Sequence, residues 1–445
     1  MKIAVRFAST CLLASFVFCA PRGVSAQEAA TRGATAGYAT KRPINITTVQ
    51  PFSPDTVLVL TDDSGASASS SGGRNAASLN AGNAFGLQTV PLFAGAFTAA
   101  GGPDIGKSFS FIMMGNDPLA GGKTTIPVRV TEVSLQLLNA DGSTLLTWPY
   151  APFEDIVSNS PNFESTSYTS SNDPTQFADA VQRAEFFNMM KQNWHTLLGN
   201  PAVVNRITWQ IPRFVNVKFP DGTVHSVRSY FRFINTDGST AGVVLLRPLF
   251  NFLYTNALFA DINANNFTTD SINFDAFPNT FLFSLNLQNP NTPGSCCVIG
   301  FHTFAYDPSV TPEPVWIAIY ASYMSPGIFG GGFEDVTAFS HEISEAFNDP
   351  FGSNAVPAWQ FPIPNLPPTA KVCQGNLETG DPVEVLPTGT VPLNIKETGQ
   401  VFTYHPQTEA LLQWFEMGPA SNAINGAFSY PDTSALTHSA KPCPQ

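Results

Sequence analysis

The sequence predicts an α+β fold: a β-rich sheet lobe with one backing helix, a second helix bearing a metal-site motif, and an irregular, loop-rich C-terminal lobe. Three observations carry this. Runs of β-type residues broken by turn signals recur between Lys107 and Tyr323. Helical spacing of apolar residues stands out after Asp173-Pro174 and again over 336–350. Beyond residue 350, prolines interrupt nearly every periodic run.

Taken in order, residues 1–26 read as a signal peptide. Met1 to Arg6 is the positive start, Phe7 to Ala20 a short apolar core, and Val24-Ser25-Ala26 a small-residue cleavage site. No later stretch approaches the 18 or so apolar residues a spanning helix needs, so a secreted protein, extracellular or periplasmic and not membrane-spanning, is expected. Residues 27–105 form a weakly ordered extension with a Ser-Gly tract at 65–73 and one short strand at Val57–Leu60. The β-rich lobe covers 106–350. Val128–Leu138 turns through Asn139-Ala-Asp-Gly142 into Thr144–Trp148, and Phe214–Phe219 turns through Pro220-Asp-Gly222 into Thr223–Phe233. Between these hairpins lies a helix with Pro174 in its first turn and Phe177, Val181, Ala184 and Phe187 on its buried face, ending near Trp194–Leu198, where His195 meets the helix dipole. Leu245–Phe259 is either a helix or a buried strand. Phe281–Leu287, Cys297–Ala305 and Val315–Tyr323 read as strands, and Pro326–Gly332 as a flexible lead-in to the motif helix. Residues 351–445 complete the fold with a few strands near Val401 and Ala427.

Composition narrows the partners. Only 12% of residues are charged, Phe reaches 37, and the net charge is −12, which excludes nucleic acid as a partner. Peptides or extracellular polymers suit this surface better. Without the leader, Cys296, Cys297, Cys373 and Cys443 remain, an even set that favours two disulfides in an oxidising compartment. Neighbouring cysteines pair poorly, so Cys296 and Cys297 are each expected to reach Cys373 or Cys443.

The chemistry concentrates in Val336–Pro350. His341-Glu342-Ile343-Ser344-Glu345 reads H-E-x-x-E, the zinc-protease pattern H-E-x-x-H with glutamate in the second ligand's place. Val336, Phe339, Ile343, Ala346 and Phe347 share one helix face, and His341 and Glu345 stack on the other, where both reach one ion. Asp349-Pro350 closes the helix. Glu342, beside the ligands, is placed as general base for water on one divalent ion, zinc first. Glutamate at 345 also admits harder ions such as Mn²⁺. The third ligand is expected from Cys373-Gln-Gly-Asn-Leu-Glu-Thr-Gly-Asp381, as Glu378 or Asp381. His405, like His302 and Tyr404, is positioned by the sequence to polarise a substrate carbonyl, and is taken with Glu342 as catalytic.

Cys296–His302, Ser340–Phe351, Cys373–Pro382 and Phe402–Gln407 together resemble a group of secreted, mostly bacterial proteins of uncharacterised function. The C-terminal half is distantly similar to plant Exordium, or phosphate-induced, proteins, several of which carry an H-E-x-x-E helix and an E-x-G-D stretch. The resemblance implies an extracellular protein with a zincin-like site. Two functions follow: a secreted metallohydrolase of peptidase type, or a non-catalytic extracellular or cell-surface binding protein whose ion is structural or lacking.

Overall fold

The computed structural model describes residues 44–47, 56–59, 86–168, 173–329, 332–362, 373–384, 390–395 and 399–443. The leader and the Ser-Gly tract lie outside them. The framework is one curled, largely parallel sheet. Its strands are β1 (Lys123–Leu138), β2 (Thr144–Trp148), β3 (His195–Ile211), β4 (Ile272–Pro278), β5 (Gly300–Tyr306) and β6 (Glu313–Tyr323). β1 is the spine. One edge runs parallel to β3 from Lys123 to Leu137, while the other meets β4 over 128–132 and then the antiparallel β2 over 135–138. β4 continues parallel into β6, and β6 antiparallel into β5. A four-stranded sheet, Tyr230–Ile234, Thr240–Leu246, Thr280–Leu285 and Pro293–Val298, adjoins it.

Three helices flank these sheets: α1 (Phe177–Glu185), α2 (Arg247–Asn263) and α3 (Thr337–Asn348). Alternation along the strands assigns the faces. Phe301 and Tyr320 meet Phe250 of α2, with ring centroids 6.0 and 4.5 Å apart, whereas Phe274, on the opposite side of β4, stacks on Phe339 of α3. Complete burial of Phe339 contributes roughly 2–3 kcal/mol. Among the described residues no helix is long and apolar enough to cross a membrane.

Both expected turns close hairpins, but the run expected as Thr223–Phe233 breaks at Ser229: Val224–Arg228 completes the second hairpin and Tyr230–Ile234 belongs to the four-stranded sheet, while Leu245–Phe259 resolves into a strand end followed by α2. The hairpin Leu92–Thr98/Ser108–Met114 shows that the fold takes in the last part of the 27–105 extension. Three further expectations are corrected. α1 stops at Glu185 rather than near Leu198, because the chain turns through 186–194 and His195 opens β3, its ring 2.8 Å from Asp179 Oδ2. Cys297–Ala305 is not continuous: it breaks at Ile299 into strands of two different sheets. The cysteines pair as Cys296–Cys297 and Cys373–Cys443. Local packing explains the second bond, since the strand Cys373–Asn376 pairs with Ala355–Gln360, and Cys443 N–H donates to Ala358 O at 2.8 Å.

The C-terminal segment carries a pH-sensitive group. Burial alone pushes the Glu416 carboxyl up to about 7 from its ordinary 4.5. The folded protein keeps that proton where the unfolded chain has lost it. Stability therefore falls as pH rises from about 4.5 to about 7, by at most about 3 kcal/mol for this group. Glu416→Gln should flatten this part of the pH dependence in urea melts at pH 5 and pH 8; an unchanged slope would exclude Glu416 as its source.

Candidate metal centre

α3 is held at both ends by groups outside it. Before its first turn, Asp335 Oδ1 accepts from Val336 N–H and His405 N–H, and the Thr337 hydroxyl donates to His405 O at 2.7 Å. At its end, the Asp349 carboxylate accepts from the backbone N–H groups of Ser353 and Asn354. All twelve helix residues are buried. The face carrying His341 and Glu345 is thus covered, by segments around 378–384 and 405–409, and His341 is only 8% exposed.

The imidazole of His341 is oriented by Gln407. The Gln407 amide nitrogen donates to Gly380 O at 2.6 Å, which turns its oxygen to His341 Nδ1 at 3.1 Å. Nδ1 therefore carries the proton. Nε2 points at Glu345 Oε1, 3.1 Å away, and at Asp381 Oδ1, 3.7 Å away. Metal-binding histidines are built this way, with the distal ring N–H committed to an oxygen and the other nitrogen aimed at the ion. His302 repeats the device from β5. Its Nε2 lies 2.9 Å from Asp349 O, a pure acceptor, so Nδ1 is the nitrogen turned to Glu342 Oε2 and Glu345 Oε2, each at 3.5 Å. Glu378 Oε2 stands 4.0 Å from His302 Nε2. One ligand atom each from His341, Glu342 and Glu345, and likewise from His302, Glu345 and Glu378, fall within 4.8 Å of one another, so these buried groups could hold a metal ion.

The electrostatics fit a cation. Burial by itself pulls the His341 imidazole down, but the Glu345 carboxylate, then Glu342 and Glu409, push it well above its ordinary value. Burial pushes the Asp381 and Glu409 carboxyls well up, with Glu345 adding to both, and it takes Glu384 up to about 8.

The structure thus gathers His341, Glu342, Glu345, Glu378 and Asp381, all expected from the sequence. His405 is placed elsewhere: Nδ1 lies 2.6 Å from Asp335 Oδ2 and Nε2 3.1 Å from Glu334 Oε1, at the start of α3. Its ring braces the helix N-terminus and is committed to those acids, rather than facing Glu342. The sequence reading missed four members of the cluster: His302, among the groups that could hold an ion, Gln407 as the orienter of His341, and the buried Glu384 and Glu409. One signal was available. A Cβ on Gly300 would come within 2.8 Å of the Glu342 carboxylate, so the glycine two residues before His302 marks where α3 closes on the strand. Compared with known families, curated proteins and solved structures, the chain matches none, so function is argued from this chemistry.

Proposed function

We propose that this centre binds a divalent cation, zinc first, and that the protein is a secreted metal-dependent hydrolase of peptidase type. The observation that carries the reading is the directed His341 imidazole, whose Nε2 faces two carboxylates because Gln407 holds Nδ1. His341, Glu345 and Asp381 would hold the ion, Asp381 Oδ1 lying 3.7 Å from His341 Nε2. Such an ion supplies Lewis acidity and brings the pKa of a water toward about 7. Glu342 is the base that takes the water's proton: its Oε2 is buried, lacks a hydrogen-bond partner and lies on the same helix turn as the ligands. Gly380 N–H steadies Glu345 Oε1 at 3.3 Å. Two disulfides support an oxidising, extracellular setting.

Protein purified without chelators should carry metal by elemental analysis, and Glu342→Gln should keep the metal while peptide hydrolysis falls about 10²–10⁴-fold. Metal-free wild type, or hydrolysis untouched by the substitution, overturns the assignment.

Enclosure favours a second reading, an extracellular binding protein of the Exordium-like type with a structural ion, because the ligands are at most 8% exposed. In that case His341→Ala lowers the melting temperature and wild type cleaves nothing. Peptide cleavage that His341→Ala abolishes, with the fold intact by circular dichroism, eliminates it.

A further inference from the structure

The helix that carries His341 and the segment that covers it meet at one carboxylate, that of Asp335. Its Oδ1 accepts from Val336 N–H at 2.5 Å and from His405 N–H at 2.9 Å, while Oδ2 lies 2.6 Å from His405 Nδ1. We propose that Asp335 and His405 form a clasp that sets Gln407 against His341, so that both are positioning residues for metal binding. The proposal rests on the centre described above holding an ion.

Three observations carry it. The first is an unbroken run of contacts from the clasp to the centre. The Thr337 hydroxyl donates to His405 O at 2.7 Å, Gln407 N–H donates to Ser340 Oγ at 2.8 Å, and Gln407 Oε1 then lies 3.1 Å from His341 Nδ1. Residues 405–407 thus lie as a strap along the first turn of α3, and the strap delivers the amide that orients the ring. The second is the His405 imidazole. Its Nε2 lies 3.1 Å from Glu334 Oε1, so each ring nitrogen meets a carboxylate and the ring cannot turn over without losing both. Glu334, Asp335 and His405 do bring ligand atoms within 4.8 Å of one another. Yet Asp335 Oδ1 already serves two backbone N–H groups, and the positive end of the α3 dipole disfavours a cation at this place. A clasp fits the geometry better than an ion. The third is the backbone of Asp335. Its φ of 45° is in the left-handed region, which residues other than glycine hold where their surroundings fix them. Its N–H and C=O both pair with Met324, just past the end of β6. Strand, helix and strap are therefore located against one another at this residue. With the clasp open, Gln407 no longer stands at a set distance from Nδ1, and a metal-binding histidine without its orienting partner holds an ion less tightly.

The full chain, stripped with EDTA, is titrated with Co²⁺ in competition with a chromophoric chelator. His405→Ala should bind Co²⁺ about 10-fold more weakly than wild type, the lower end of the range for losing an outer partner of a metal-binding histidine. Gln407→Ala should lose at least as much. The double variant decides between acting through Gln407 and merely stabilising the fold: on a Gln407→Ala background, His405→Ala should cost no further affinity. His405→Asn, whose amide can still donate to Asp335, should recover most of the loss. Wild-type affinity in His405→Ala, or the same 10-fold loss repeated without Gln407, overturns the clasp and leaves the centre standing. A second equivalent of Co²⁺ that His405→Ala abolishes would place an ion at Glu334, Asp335 and His405, and overturns it too. No Co²⁺ bound by wild type removes the centre and the role of the clasp together. If His405→Ala misfolds by circular dichroism, Thr337→Val, which deletes only the bond to His405 O, takes its place in the same cycle.

Discussion

Chelation should lower the melting temperature of the protein by about 10 °C at pH 8, and by much less at pH 5.5. A ligand present at about a thousand times its dissociation constant stabilises the folded state by about 4 kcal/mol, and each kcal/mol shifts the melting point of a chain this large by roughly 2–4 °C. The pH sign follows from the buried acids. Burial pushes Asp381 and Glu409 well up and Glu384 up to about 8, so the metal-free protein keeps their protons where the unfolded chain has lost them above its ordinary values near 4. The metal-free protein therefore loses stability as pH rises toward 8. Binding a cation instead displaces those protons, and the one on His341, so affinity climbs over the same range. The gap between chelated and loaded protein widens with pH. Thermal melts with and without EDTA at pH 5.5 and 8 measure it; superimposable curves at both would show that no ion is held.

Gly380→Ala should cost the centre its metal while leaving most of the fold. The glycine has φ −77°, so its backbone tolerates alanine. The obstacle is the neighbour: an added Cβ would overlap His341 Nδ1, Cε1 and Cγ, well inside contact distance. The ring must swing off Gln407, and the orientation of Nε2 goes with it. Metal affinity should fall about 10–100-fold, as when an orienting partner is removed, with about 1–3 kcal/mol lost to overpacking. Gly375→Ala is the control, because its Cβ meets only Val356 O at 3.8 Å. Equal affinity of the two variants, by competition with a chromophoric chelator, would rule out the wedge.

What the sequence made legible was local. A helical stripe of Phe339, Ile343 and Phe347 with His341 and Glu345 opposite is written within fifteen residues, and the glycine turn carrying Glu378 and Asp381 within nine. Non-local partners left no comparable trace. His302 looks like any alternating strand residue, and only the register of β5 against β6, with α3 packed across them, sets it over Glu345. Gln407 has no motif at all, because its role depends on Gly380 O being within reach. His405 carried the same chemical promise as His302, yet the Glu334–Asp335 pair at the head of α3 took its ring. The Cys373–Cys443 bond was hidden for a related reason: it followed a strand pairing that the spacing of four cysteines does not encode, while Cys296 and Cys297 bond to each other within one strand.

If the buried cluster holds the ion proposed above, chain order also fixes when in the life of the chain that ion is taken up. Its members are scattered from His302 to Glu409, on a strand, a helix, a turn and a late segment, and Gln407, which aims His341, comes almost last. A ribosome emitting residues in order has delivered the spine strand and α3 long before the cover that completes the coordination shell. Loading of the proposed centre would therefore be post-translational. The parallel pairing of β1 with β3, whose starts lie some seventy positions apart, adds a slow, non-local step of its own. Metal acquisition at the proposed centre would then be the closing event of maturation, and a chain cut short before residue 407 would forfeit it even with the H-E-x-x-E helix intact.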